Sequence, residues 1–340
     1  MSQAGHNTQL FLQDLVTELR AHLLPGTEEE SVKSTFAVLD GASIPDLLNR
    51  LHGKGRPEFV CLYRGELEPD MAEVAPYLVR LEPGTPFTEW LLAHGWGNHW
   101  GIFVRTRADL GALRRHLRGF LMVQDVAGEQ LYFRYYDPRV LRRFLPIGDA
   151  AQLQRIFGLV ECYLCEGTDR TELLKYRCDG REFNAEHFEL IKVPGPPEAG
   201  QTAKSVRALE PVPALGRSEV LMAIRKEQIE ALAAPRRAGL APEIARYLRE
   251  QCPAQVQATN DVQLEAFARE QMAQAERHGI TIEWDVCRFC WLAAWHGPRF
   301  GDECDWARKV LESSGLTSTE RMNLLEYHQR NYLEPMFHPA

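Results

Sequence analysis

The sequence predicts an α/β amino-terminal domain, a central sheet flanked by helices, followed by a smaller all-α carboxy-terminal domain. Three observations carry this. Apolar strand-like runs alternate with capped helical segments up to about residue 191. A stretch from Val193 to Gly216, rich in proline and glycine and poor in large apolar side chains, then interrupts the pattern. Beyond it almost every segment repeats its apolar residues at helical spacing. The boundaries that follow are an α/β domain over 1–192 with a leading helix, a linker over 193–217 and a helical domain over 218–340. A chain of 340 residues is long enough to bury two cores.

The elements follow in order. An amphipathic helix spans 8–24 and gives way to an acidic break, Pro25 to Glu30. Strand 36–39 turns at Asp40-Gly41 into helix 45–52, which Gly53 stops. Strand 59–63 precedes a helix around 71–78. Helix 86–94 leads over the turn Gly95-Trp96-Gly97-Asn98 into strand 100–105, and Asp109 caps helix 110–120. A turn at Ala127-Gly128 precedes strand 130–136. The next step is the sharpest local signal: an aromatic run, Tyr132 to Tyr136, passes into Asp137-Pro138, where Asp137 can cap the orphan amides and Pro138 lacks an N–H that would go unused. Helices 138–145 and 150–157 and strand 159–164 follow, with further strands near 173–176 and 187–191. Helices are expected in the carboxy-terminal part at 218–232, 242–251, 261–278, 283–295, 304–313 and 318–332.

Bulk properties exclude several functions. A net charge of −8 and a pI near 5.8 argue against general nucleic-acid binding, which needs a basic surface to displace counterions. The leading helix carries Asp14, Glu18 and Arg20 where a secretion signal needs an unbroken apolar run. Glu89, His94, Asn98 and His99 break the longest apolar window, so no membrane insertion is expected and the protein is placed in the cytoplasm. The eight cysteines are then expected as reduced thiols.

The candidate chemistry is sparse. Cys287, Cys290, His296 and Cys304 are zinc-ligand types, but the segment Trp284 to Trp295 is apolar almost all round, as a buried helix is. Cys162 and Cys165, with Cys178 and His187, form a second such set, yet an odd offset on a strand points the first two to opposite faces. There is no Gly-x-Ser-x-Gly elbow, Cys61 sits among apolar neighbours, and neither Gly53-Lys54-Gly55 nor Gly95-Trp96-Gly97 makes a phosphate loop. No catalytic residue, metal ligand or cofactor is assigned. Two basic clusters stand out in the acidic chain. Arg114, Arg115, His116 and Arg118 share one expected helix, and Arg139, Arg142 and Arg143 another, beside Tyr135, Tyr136 and Phe144. A solvated helix face is one reading. A partner-binding patch is the other, because Arg and Tyr dominate interface hot spots. The expected partner-binding residues are Arg134, Tyr136, Arg139, Arg142 and Arg143, with Trp96 and Trp100 in the Trp-rich turn.

The runs Phe36 to Ala42, Phe59 to Leu67, Ala72 to Leu81, Trp100 to Thr106, His116 to Val123 and Tyr132 to Pro146 occur in an order that resembles the amino-terminal domain of the type VI secretion effector adaptors, or effector chaperones. The resemblance covers 36–167, and the recurrent positions are Asp40, Gly41, Arg64, Gly65, Trp100, Gly101, Arg134, Asp137, Pro138 and Arg139, read mainly as scaffold. It implies a protein that binds a secreted effector in the cytoplasm and loads it onto the carboxy-terminal region of the spike protein, with no enzymatic activity and no cofactor. The alternatives are a metal- or thiol-dependent enzyme using the Cys/His sets and a self-associating structural subunit. The oligomeric state is left open.

Overall fold

The computed structural model describes residues 3–24, 33–53, 55–191, 203–210 and 221–330, and the chain divides into two compact units, 1–232 and 233–340. The acidic break at Pro25 to Glu30, residues 193–202 and 211–217 of the expected linker, and the ends 218–220 and 331–332 of two expected helices lie outside the described residues.

The first unit runs α1 (Gln3–Leu23), β1 (Ser34–Asp40), a 3₁₀ turn (Gly41–Ser43), α2 (Leu47–His52), β2 (Phe59–Cys61), α3 (Pro69–Val74), β3 (Pro76–Leu81), α4 (Pro86–Gly95), β4 (Gly101–Thr106), α5 (Leu110–Arg118), β5 (Met122–Gln124), β6 (Gln130–Tyr132), α6 (Pro138–Ile147), α7 (Ala150–Phe157), β7 (Cys162–Glu166), β8 (Glu172–Cys178), β9 (Glu182–Glu189), β10 (Ala203–Ala208) and β11 (Met222–Ala223). Eight strands form one sheet in the order β10-β9-β8-β7-β4-β1-β3-β2, and every neighbouring pair is antiparallel. A small second sheet joins the β5–β6 hairpin to β11.

Both faces of the large sheet are covered, which is why its central strands read as continuous apolar runs rather than alternating ones. Phe36, Val38, Leu78, Val104 and Tyr163 point to one face and pack with Leu113, Leu117, Leu141 and Phe144 of α5 and α6. Ala37, Leu39, Val79, Phe103 and Leu164 point to the other and pack with Leu19, Leu47, Leu51 and Leu91 of α1, α2 and α4. Cys162 and Cys165 follow the same alternation, one on each face.

Four local expectations are corrected. The helix expected around 71–78 is only α3, ending at Val74, and Pro76–Leu81 is an interior strand between β1 and β2. Tyr77, Leu78 and Val79 suit a pleated, doubly covered surface, and Pro76 occupies the first strand position, where its missing donor is tolerated. The strand expected over 130–136 stops at Tyr132, and the chain then turns into α6, where Asp137 N–H closes on Arg134 O (3.0 Å). The helix expected from 218 begins at Lys226, while Met222-Ala223 pairs with β5. Inside the stretch expected as linker, Ala203–Ala208 forms the edge strand β10 through main-chain pairing with β9, which needs no large side chain.

His116 of α5 is a titrating group packed into this unit. Its ring meets Phe120 edge-on at 4.9 Å, and Nε2–H is placed to donate to the Ile156 carbonyl at 2.9 Å. Burial lowers its pKa below the usual 6.5, against the opposing pull of that carbonyl. The folded state therefore keeps the ring neutral while the unfolded chain takes up a proton as the pH falls through 6.5. The stability it contributes is complete above 6.5 and is lost as the pH falls below it. Burial moves His22 the same way. Thermal melting should decline from neutral toward mildly acidic pH, with a shallower decline in His116→Gln; identical profiles in the two proteins would refute the assignment.

The second unit is helical throughout its described residues. α8 (Lys226–Gln251) crosses the boundary between the units, and α9 (Pro253–Val256), α10 (Asp261–Arg277), α11 (Glu283–His296), α12 (Phe300–Glu303), α13 (Asp305–Leu311) and α14 (Ser318–His328) follow. Reciprocal caps start two of them, Asn260 with Gln263 and Thr317 with Glu320, and Gly279 leaves α10 at φ +71, a conformation that costs other residues strain. Leu248, Leu264, Phe289, Leu292, Phe300 and Leu325 form its core.

Candidate functional site

One end of the sheet gathers three buried carboxylates, each brought there by a different element. Asp40 ends β1, is 1 % exposed, and accepts hydrogen bonds from the Ala42 amide (3.2 Å) and the Ser43 hydroxyl (2.6 Å), so it closes the turn after the strand. Asp137 caps α6 through the Arg139 amide at 2.8 Å. Glu166 ends β7, is 4 % exposed, and accepts from the amides of Gly97 (2.5 Å) and His99 (3.0 Å) and pairs with the His99 ring. That grip holds His99 at φ +57, unusual for a side-chain-bearing residue.

Half-exposed guanidinium groups cover two of these carboxylates. Arg134 pairs with Asp40 across 94 residues of chain. Burial opposes the Arg134 charge, but the Asp40 carboxylate outweighs it and raises its pKa. Arg139 grips Asp137 with two nitrogens, Nε at 3.0 Å from Oδ1 and Nη2 at 2.7 Å from Oδ2, a fork that fixes its plane. Arg142 donates to the Gly167 carbonyl, and Arg143 Nη1 to the Arg139 carbonyl at 3.0 Å. Neither Arg142 nor Arg143 has a carboxylate partner among the described residues.

Tyrosines connect this cluster to the basic face of α5. Arg134 lies 5.9 Å from the centre of the Tyr136 ring. The Tyr136 hydroxyl is 3.4 Å from that of Tyr132, which donates to Tyr63 Oη at 2.9 Å. The Tyr136 hydroxyl is pushed up to about 12, first by burial. Tyr132, first buried and then bonded to Tyr136 and Tyr63, is pushed up as well, so both remain neutral hydroxyls. Tyr63 in turn offers its carbonyl to Arg114 at 3.4 Å, and the Cys61 carbonyl takes Arg114 Nε at 2.9 Å.

The sequence-predicted site residues thus divide. Arg134, Tyr136, Arg139, Arg142 and Arg143 come together. Trp96 and Trp100 pack with the opposite face of the sheet: Trp96 is 5 % exposed and donates to the Arg170 carbonyl at 2.7 Å, and Trp100 meets Trp90 at a tilt, 5.2 Å between ring centres. Tyr136 is 2 % exposed, so its ring serves the core, with Arg134 over it and its hydroxyl near that of Tyr132. Sequence reasoning missed Glu166, Tyr63 and Tyr132, since nothing local to them signals contacts made 67 and 69 residues away.

The thiols are distributed differently. Burial pushes Cys162, Cys287 and Cys304 upward, and Cys61 likewise, against the reactive thiolate form. No group of three or more His, Cys, Asp or Glu side chains is arranged to hold a metal ion among the described residues. No helix of those residues is long and apolar enough to cross a membrane. In the helical unit, a groove of about 450 Å³ between α8, α10 and α11 is lined by Leu240, Met272, Ile280 and Val286, with the Arg236–Glu283 pair (2.7 Å) at its rim.

Residues 35–155, from β1 into α7, match the family model described as Domain of unknown function (DUF4123). No curated protein and no solved structure matches the chain.

Proposed function

We propose that this chain is an adaptor of the type VI secretion kind: it binds a secreted effector in the producing cell's cytoplasm and presents it to the carboxy-terminal region of the spike protein, without catalysing a reaction. The observation that carries the reading is where the family match falls. Residues 35–155 contain Asp40, Tyr63, Arg114, Tyr132, Arg134, Asp137 and Arg139, so the arginine–tyrosine cluster lies inside the matched stretch. The chemistry of the cluster supports the same reading. Its carboxylates are committed to capping and ion pairs, and its hydroxyls stay protonated, which suits gripping a polypeptide better than moving protons. Arg and Tyr side chains held in place are also the residue types that dominate protein interfaces.

Co-expression of the intact chain with an effector and spike pair, followed by affinity purification, should recover a complex of all three. Recovery of neither partner would end the proposal, and turnover of a substrate by the isolated chain would replace it with an enzymatic one.

A further inference from the structure

The two basic clusters, distant in sequence, are one continuous belt. Arg64 and Arg114 lie close enough to Arg118 for their charges to act on it, Arg114 touches Tyr63, the tyrosine hydroxyls run on to Tyr136, and Arg134 and Arg139 follow. Arg118 and Arg143 are both lowered from the usual guanidinium range, first by burial and then by neighbouring guanidinium groups. Asp40, Asp137 and Glu166, the carboxylates that act on Arg134, Arg139 and Arg143, are themselves buried. Around Arg134 and Arg139 the carboxylates are therefore buried and the guanidinium groups half-exposed. Arg64, Arg118 and Arg143 have no ion-pair partner among the described residues.

We propose that this belt is the docking surface for an acidic segment of the partner protein, whose aspartate and glutamate side chains take the unused guanidinium N–H groups. The inference rests on the adaptor reading and names the chemistry of the partner. The buried carboxylates position Arg134 and Arg139 before binding, so the ordering cost of those two long side chains is already met. The tyrosine hydroxyls between them add neutral donors and acceptors, and the Tyr132 ring, 42 % exposed, gives an extended backbone something flat to lie against. A duplex nucleic acid is the poorer fit, since the chain carries a net charge of −8 and its remaining surface would repel phosphate beyond the belt.

The test is fluorescence anisotropy of a labelled glutamate-rich peptide against the intact chain, with the glutamine counterpart and a single-stranded oligonucleotide of equal charge as comparators. The glutamate peptide should bind about tenfold or more tightly than the glutamine peptide and weaken with added salt. The triple variant Arg64→Gln, Arg118→Gln, Arg143→Gln, which breaks no ion pair, should melt as the parent does and lose about tenfold or more in affinity. If that variant fails to fold, the exposed single change Arg64→Gln should still cost about threefold. Absence of binding, equal affinity for the two peptides, unchanged affinity in the variants, or an oligonucleotide bound as tightly as the peptide would each overturn the inference. Retention of effector and spike by the triple variant would remove the belt while leaving the adaptor reading intact; loss of both partners by the unmodified chain would remove the adaptor reading itself.

Discussion

Replacing Gly101 with Ala should unfold the sheet unit or lower its stability by on the order of 3 kcal/mol or more. Gly101 opens β4 opposite Leu39 of β1, at the centre of the eight-stranded sheet. A Cβ there would stand 2.2 Å from the Val38 carbonyl oxygen and 3.0 Å from the Leu39 Cα. Both are backbone atoms of an interior strand, so no side chain can swing aside. The chain must either pull β4 from β1, breaking ladder bonds, or shift the turn at His99 that Glu166 holds. Gly239 offers the contrast. It lies on α8 with nothing within 4 Å of its would-be Cβ, so Gly239→Ala should be neutral or stabilise its helix by about 0.5–1 kcal/mol. Chemical denaturation of the two variants against the parent separates the cases. A Gly101→Ala protein that melts like the parent would show that the β1–β4 approach is not as tight as described.

Arg288→Ala should destabilise the helical unit by about 3 kcal/mol. Arg288 is 7 % exposed on α11, and all three of its guanidinium nitrogens are used: Nη1 to Asp285 (2.9 Å), Nε to Glu326 (2.6 Å) and Nη2 to Asn323 (2.8 Å). Asp285 is 1 % exposed and also accepts from the Ser318 and Thr319 hydroxyls at 2.8 Å. Removing the guanidinium leaves a buried carboxylate with hydroxyl partners only, and removes the contacts of α11 with Glu326 and Asn323 of α14. Lysine cannot reproduce a three-way fork, so Arg288→Lys should recover only part of the loss. The transition of the helical unit should shift and that of the sheet unit should not. A change below about 1 kcal/mol would mean that water replaces the lost contacts.

Much of the fold was readable locally. The Asp109 and Asp137 caps and the Asp137-Pro138 corner form where their neighbours placed them, because a cap needs only the next few amides. The helical character of the second unit followed from apolar spacing in the same way. The opposite faces of Cys162 and Cys165 followed from the two-residue period of a strand. Reading failed where a segment's own preference was even and its environment chose. Pro76–Leu81 carries apolar residues that would serve a helix or a buried strand alike, and two neighbouring strands settled it. Ala203–Ala208 has too little apolar content to announce a strand, yet the open edge of β9 supplies its hydrogen bonds.

The candidate site divides along the same line. Residue types, caps, spacing and the two arginine clusters are properties of short stretches, so they were present before any folding was considered. That Arg134 meets Asp40, that Glu166 holds the turn at His99, and that Tyr63 and Tyr132 weld two basic helices into one belt are facts about partners 94, 67 and 69 residues apart. Such meetings depend on strand order and on which face each strand turns inward. Those are set by the burial of the whole core, a sum over distant contacts that no single stretch of chain contains.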